Sequence, residues 1–156
     1  MNLSPHFTWA EVTASRVAAA RNINNALPDY LRPEAEAQAA LMERIRAALG
    51  APIIVSSWFR CGALNWAVRR PSAGPGIDNS GDHPRAAATD FTAPGFGTPL
   101  EVCRLLAPRA DELGIGQLIY EGTWVHVSKN APFKDINRVI TLLPGGAGYA
   151  PGIVEV

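Results

Sequence analysis

The residues best able to do chemistry are His83 and Asp90, in Gly81-Asp82-His83-Pro84-Arg85-Ala86-Ala87-Ala88-Thr89-Asp90, and His126, in Trp124-Val125-His126-Val127-Ser128. Two imidazoles and one carboxylate suit a catalytic zinc with one coordination position left for water. Such an ion lowers the pKa of bound water enough to make hydroxide available near neutral pH. The same residues also fit a plainer description, with His83 in a loop, Asp90 capping a helix and His126 on the polar side of a strand. Spacing leaves both descriptions open, because short His and Asp patterns are common.

The elements that must position these residues are legible in outline. Thr8-Trp9-Ala10-Glu11 reads as a capping box, so a short first helix should start near Trp9. From Pro33 to Leu49, apolar Ala37, Ala40, Leu41, Ile45, Ala48 and Leu49 recur at helical spacing, with Glu36, Gln38, Glu43, Arg44 and Arg46 largely between them. Pro33 suits the first turn of that helix and Gly50 its end. Pro52 to Ser57 is a β-branched run of strand length, and a small helix is expected around Ala63 to Val68. The stretch from Arg69 to Ser80 is a Gly- and Pro-rich surface loop, either a flap over a groove or a tolerated insertion.

Ala87 to Thr92 reads as a weak strand that would put Ala88 and Asp90 on one face. Pro99 to Leu113 is expected to be helical, with a kink or break at Pro108. Gly116 to Tyr120 and Thr123 to Ser128 read as two strands joined tightly at Glu121-Gly122. In the second, Trp124, His126 and Ser128 point one way and Val125 and Val127 the other. Arg138 to Leu143 is expected to be the final strand, followed by a turn-rich segment to Pro151.

Taken together, the metal motif resembles that of the zinc D-Ala-D-Ala carboxypeptidases and peptidoglycan endopeptidases. That family usually reads Ser-x-His, six residues, Asp, then a later Trp-x-His. The resemblance places His83, Asp90 and His126 on its three metal positions. Ile53 to Arg60, followed by Ala63-Leu64-Asn65, resembles the family's strand and arginine-bearing turn. Leu3 to Thr8 and Gln117 to Glu121 resemble its phage and prophage branch, of endolysin type. Three departures stand out: Gly81 where the family has Ser, Ala86 where it has Gly, and Thr123 where it often has an acid. The loop from Arg69 to Ser80 is also longer than its usual counterpart.

The resemblance implies a Zn2+ cofactor and hydrolysis of an amide bond in a peptidoglycan peptide. It matches Arg60 to an arginine that binds the substrate carbonyl or carboxylate, and Trp124 to an aromatic that lines the groove. With Thr123 in the acid's place, Glu121 is the nearest carboxylate to act as general base, with Asp82 behind it. The expected fold is α+β, a small mostly antiparallel sheet with helices packed on one face and a zinc cleft on the other. A reading of another class is a non-catalytic phage virion or tail module that keeps the fold and binds the wall.

Composition bounds these readings. The 156 residues suit one domain spanning 1–156, and 47% apolar with 18% charged residues fits a globular chain with a core. Fourteen basic and fourteen acidic residues cancel, so no global field recruits nucleic acid or an anionic membrane. Partners are therefore expected to be a peptidoglycan peptide and, in a phage setting, virion proteins. Cys61 and Cys103 form no disulfide framework or metal spacing and are expected to be buried free thiols. His6 is expected to pack or to face solvent rather than to bind metal. Met1 to His6 lacks a basic and then apolar leader pattern, so synthesis in the cytoplasm and later action at the cell wall are expected.

Overall fold

The computed structural model describes residues 1–156. Strands β1 (Asn2–Ser4) and β2 (Phe7–Thr8) form a small antiparallel hairpin that the sequence did not announce. Helix α1 (Trp9–Thr13) follows with the expected capping box: Thr8 Oγ1 accepts from the Glu11 backbone N–H, and Glu11 Oε1 accepts from that of Thr8 at 2.8 Å. Helix α2 (Arg16–Ala20), also unanticipated, starts on Ser15, whose Oγ accepts from the Ala18 N–H. His6 stands outside the cleft described below, its Nδ1 2.7 Å from Glu43.

Helix α3 (Arg32–Leu49) has Pro33 in its first turn and ends on Gly50 at φ 64°, a left-handed position that favours glycine. Its inward stripe differs from the expected one. Ala35, Gln38, Ala39, Leu41, Met42, Ile45 and Leu49 are buried, whereas Ala37 and Ala40 face out. The reason is Gln38, a polar residue that belongs to the stripe. Its amide nitrogen donates to Thr89 Oγ1 and the Val127 carbonyl, and its Oε1 accepts from the Lys129 N–H, so the buried amide is fully engaged.

The other elements are β3 (Ile54–Ser57), α4 (Gly62–Arg69), β4 (Ala88–Thr92), α5 (Pro99–Leu106), α6 (Ala110–Leu113), β5 (Gln117–Tyr120), β6 (Val125–Ser128), β7 (Val139–Leu142) and β8 (Tyr149–Pro151). A 3-10 turn, Ala107–Arg109, separates α5 from α6 and gives the break expected at Pro108. Strand β8 corrects the expectation that β7 ends the sheet. Glycines 145, 146 and 148, all at positive φ, reverse the chain so that β8 pairs antiparallel with β7.

The sheet has the order β3-β4-β6-β5-β7-β8, and only the β5–β7 pair is parallel. The architecture is α+β with a mostly antiparallel sheet. On one face Phe91, Leu118, Val125 and Val127 pack with Leu41, Met42, Ile45, Val102 and Leu106 of α3 and α5 in a single hydrophobic cluster. Cys103 lies in this cluster, where burial pushes its thiol up to about 12; Cys61 is partly buried, and both are free. No helix is long and apolar enough to cross a membrane.

On the other face the pairing register sets one transverse row, Ser57-Asp90-His126-Ile119-Ile140-Pro151, across all six strands. Directly paired residues share a face of the sheet. Asp90 and His126 are therefore side by side because β4 and β6 are in register, whatever their separation along the chain.

Candidate metal centre and active site

His83 reaches this row from a 3-10 turn, His83–Arg85, rather than from a strand. Trp58, completely buried, holds the turn at both ends: its carbonyl lies 2.6 Å from His83 Nδ1, and its indole N–H donates to the Ala86 carbonyl at 3.0 Å. A carbonyl can only accept, so Nδ1 of His83 carries the proton and Nε2 presents a lone pair. That Nε2 is buried without a hydrogen-bond partner, 3.3 Å from Asp90 Oδ1. His126 Nδ1 lies 2.9 Å from the same oxygen.

Ligand atoms of His83, Asp90 and His126 all lie within 4.8 Å of one another. This set of two nitrogens and one oxygen, with an orphaned imidazole nitrogen aimed into it, fits a divalent metal such as zinc. Burial would favour uncharged groups throughout, yet Asp90 is held far below the ordinary carboxylate range because the two imidazoles outweigh that cost. Burial lowers His83; for His126 the bond to Asp90 overcomes burial and raises it.

Asp82 anchors the turn from its other side. Its carboxylate accepts from Ser128 Oγ at 2.6 Å and from the Asn130 side chain at 3.2 Å, tying the residue before His83 to the end of β6. The sequence offers Asp82 as a proton-transfer group behind Glu121 and gives Ser128 no role. Their joint use was foreshadowed only by the alternation that puts Ser128 on the same side of β6 as His126.

The departures have local structural meanings. Ala86, fully buried, closes the turn in the left-handed region at φ 57°, a conformation that costs an L-residue about 1 kcal/mol. Gly81 is also left-handed, at φ 79°, so a serine there would be strained even though its Cβ would meet nothing. Ser80 instead bonds Asp78 and Arg69. The long loop is held against α4: Asn65 donates to the carbonyls of Asp78 and Ser80, Arg70 pairs with Asp78 at 2.9 Å, and Trp66 donates to Gly74. Residues 71–79 do not line the cleft.

The remaining site candidates converge on one cleft of about 1090 Å³ that includes the three candidate ligands as well as Arg60, Glu121 and Trp124. Arg60 Nη2 lies 4.0 Å from Asp90, and both its Nε and the Trp124 indole nitrogen are buried without hydrogen bonds. Burial lowers the Arg60 value, against the pull of Asp90 and Glu121. Glu121 sits at the β5–β6 reversal, where its N–H donates to the Trp124 carbonyl at 3.1 Å. Burial and the charge of Asp90 raise its carboxyl above the ordinary range, while His126 and Arg60 oppose them. Thr123 is exposed and does not line the cleft.

A family model described as Peptidase M15 matches residues 5–128, most of the chain. The chain belongs to the Peptidase M15 family. No curated protein and no solved structure matches it. Peptidase M15 members are zinc-dependent metallopeptidases, in keeping with a His-Asp-His group that could hold a metal ion. The Peptidase M15 match contains Arg60, His83, Asp90, Glu121 and His126, and it stops before β7 and β8.

Proposed function

We propose that this chain, acting as one domain, hydrolyses amide bonds in the peptide part of peptidoglycan, as a D,D-carboxypeptidase or crosslink endopeptidase. The observation that carries the reading is the free Nε2 of His83, fixed in its tautomer by Trp58 and directed at Asp90 and His126. These three residues would hold the zinc. When bound, the ion supplies Lewis-acid polarisation of the amide and activation of water.

The protein's own groups then divide the work. Arg60, partly buried beside Asp90, carries a cationic head to a substrate carbonyl or carboxylate, with Trp124 along the groove wall. Glu121, whose burial makes it a better proton acceptor than a surface carboxylate, takes a proton from the attacking water and returns it to the leaving amine. Closure of the core behind Asp90 and His126 keeps bulk water to the cleft side.

The cleft would meet its substrate at the cell wall, reached by release from the cytoplasm or as part of a phage particle. A second reading, a virion or tail module that binds the wall without cleaving it, draws on Thr123 standing where the family often has an acid. Glu121 in the cleft argues for the enzyme. The deciding experiment measures metal content and turnover of purified peptidoglycan on one preparation: stoichiometric zinc with release of peptide fragments supports the hydrolase, and stoichiometric zinc without turnover supports the module.

A further inference from the structure

The cleft has two unlike halves about the Asp90–His126 pair. One side, next to β3, carries Arg60, 4.0 Å from Asp90. On the other, the transverse row continues beneath the cleft as Ile119 and Ile140, and Tyr149 of β8 stands in its wall. Ile119 and Ile140 are nearly covered, whereas Tyr149 is 54% exposed, a large ring left half in water beside the site. Burial first and then the charge of Glu121 raise the Tyr149 phenol, while Arg69 opposes them, so both charged side chains act on the ring across the cleft.

The Gln117 side chain of this half is already engaged. Gln117 donates its side-chain amide to the Asn137 carbonyl at 2.9 Å, and no cation stands among Gln117, Ile119, Asn137, Ile140 and Tyr149. An aliphatic substrate group there would exchange water for the ring and the isoleucines. Ile140 and Tyr149 of this wall come from β7 and β8, beyond the residues that match the family, whereas Ile119 comes from β5, within them.

We infer that Tyr149, together with Ile119 and Ile140, is a specificity-determining wall that receives the aliphatic side chain of the peptide residue flanking the cleaved bond, on the side away from Arg60. The inference rests on the reading of the cleft as a peptide site. The ring, and not its hydroxyl, provides the contact.

The test uses the zinc-loaded full chain with the stem peptide cut from purified peptidoglycan, and the same peptide resynthesised with each alanine changed in turn to glycine. Binding is followed by NMR shifts of the Tyr149 ring and Ile140 methyls, and turnover by peptide release. Wild type should bind the alanine form about fourfold better at one position, the usual worth of one buried carbon. Tyr149→Ala should raise both Kd and KM roughly tenfold, leave kcat within about twofold and erase that preference, since one ring face contributes about this much contact. Tyr149→Phe should behave as wild type.

Normal turnover with an unchanged preference in Tyr149→Ala would overturn the inference and leave the hydrolase reading intact. So would a loss in Tyr149→Phe as large as in Tyr149→Ala, because the hydroxyl would then be the contact. If wild type neither binds nor cleaves the stem peptide, both readings fall. Preferential binding without cleavage upholds the wall and removes the enzyme.

Discussion

The Nδ1 of His83 lies 2.6 Å from the backbone carbonyl of Trp58, and this contact decides which nitrogen of the imidazole is free. Trp58 also donates its indole N–H to Ala86, so one buried side chain and its own carbonyl fix both the tautomer and the turn that presents it. A second anchor, Asp82 on Ser128, secures the turn to β6. The histidine is thus oriented by groups that take no part in the ligand set.

His83→Ala and His126→Ala should each lower zinc affinity by more than the roughly 10- to 100-fold typical of losing an outer hydrogen-bond partner, because a ligand itself is removed. Competition titration against a chelating dye measures this. Wild-type affinity in both variants would refute the assignment.

Glu121→Gln should bind zinc like wild type yet lose about two to four powers of ten in turnover of peptidoglycan peptides, the range for removing a general acid-base group. Arg60→Ala should also keep zinc and lose turnover, through poorer stabilisation of developing charge. Undiminished kcat in Glu121→Gln, measured by peptide release, would exclude Glu121 as the proton carrier.

Asp82→Ala should strand the hydroxyl of Ser128 and free the His83 turn. The expected cost is about 1 to 3 kcal/mol of folding stability, with zinc affinity roughly tenfold weaker. Denaturant midpoints and the same dye titration give the two values. Ser128→Ala should reproduce the direction of both changes, and a variant pair with wild-type zinc affinity would show that the anchor is dispensable.

Asp78 is held well below the ordinary carboxylate range by its bonds to Ser80 and Arg70. A depressed carboxyl stabilises the fold above its unfolded value, near 3.8, and that contribution fades as pH falls through the lower folded value. Asp78→Asn should therefore increase hydrogen exchange in residues 70–80 at about pH 6, and the difference from wild type should shrink at about pH 2. Equal protection of the two proteins at the higher pH would dissociate Asp78 from the loop's order.

By itself, the sequence determined the parts that depend on local chemistry. The Thr8–Glu11 capping box, the Pro33 to Gly50 limits of α3, the break at Pro108 and the alternation in β6 each arise from neighbouring residues, and each is present as read. The metal-type residues His83, Asp90 and His126 were legible because the resemblance to the zinc peptidases favoured one of two descriptions that their spacing left open. What brings them together was not legible. The β4–β6 register aligns Asp90 with His126, the Trp58 carbonyl selects the free nitrogen of His83, and Gln38 joins an apolar stripe because partners on β4 and β6 satisfy its amide. The strand β8 and the Tyr149 wall likewise arise only once β7 offers an edge to pair with. All of these are long-range hydrogen bonds or contacts, whose partners are specified by the folded chain and not by proximity in sequence.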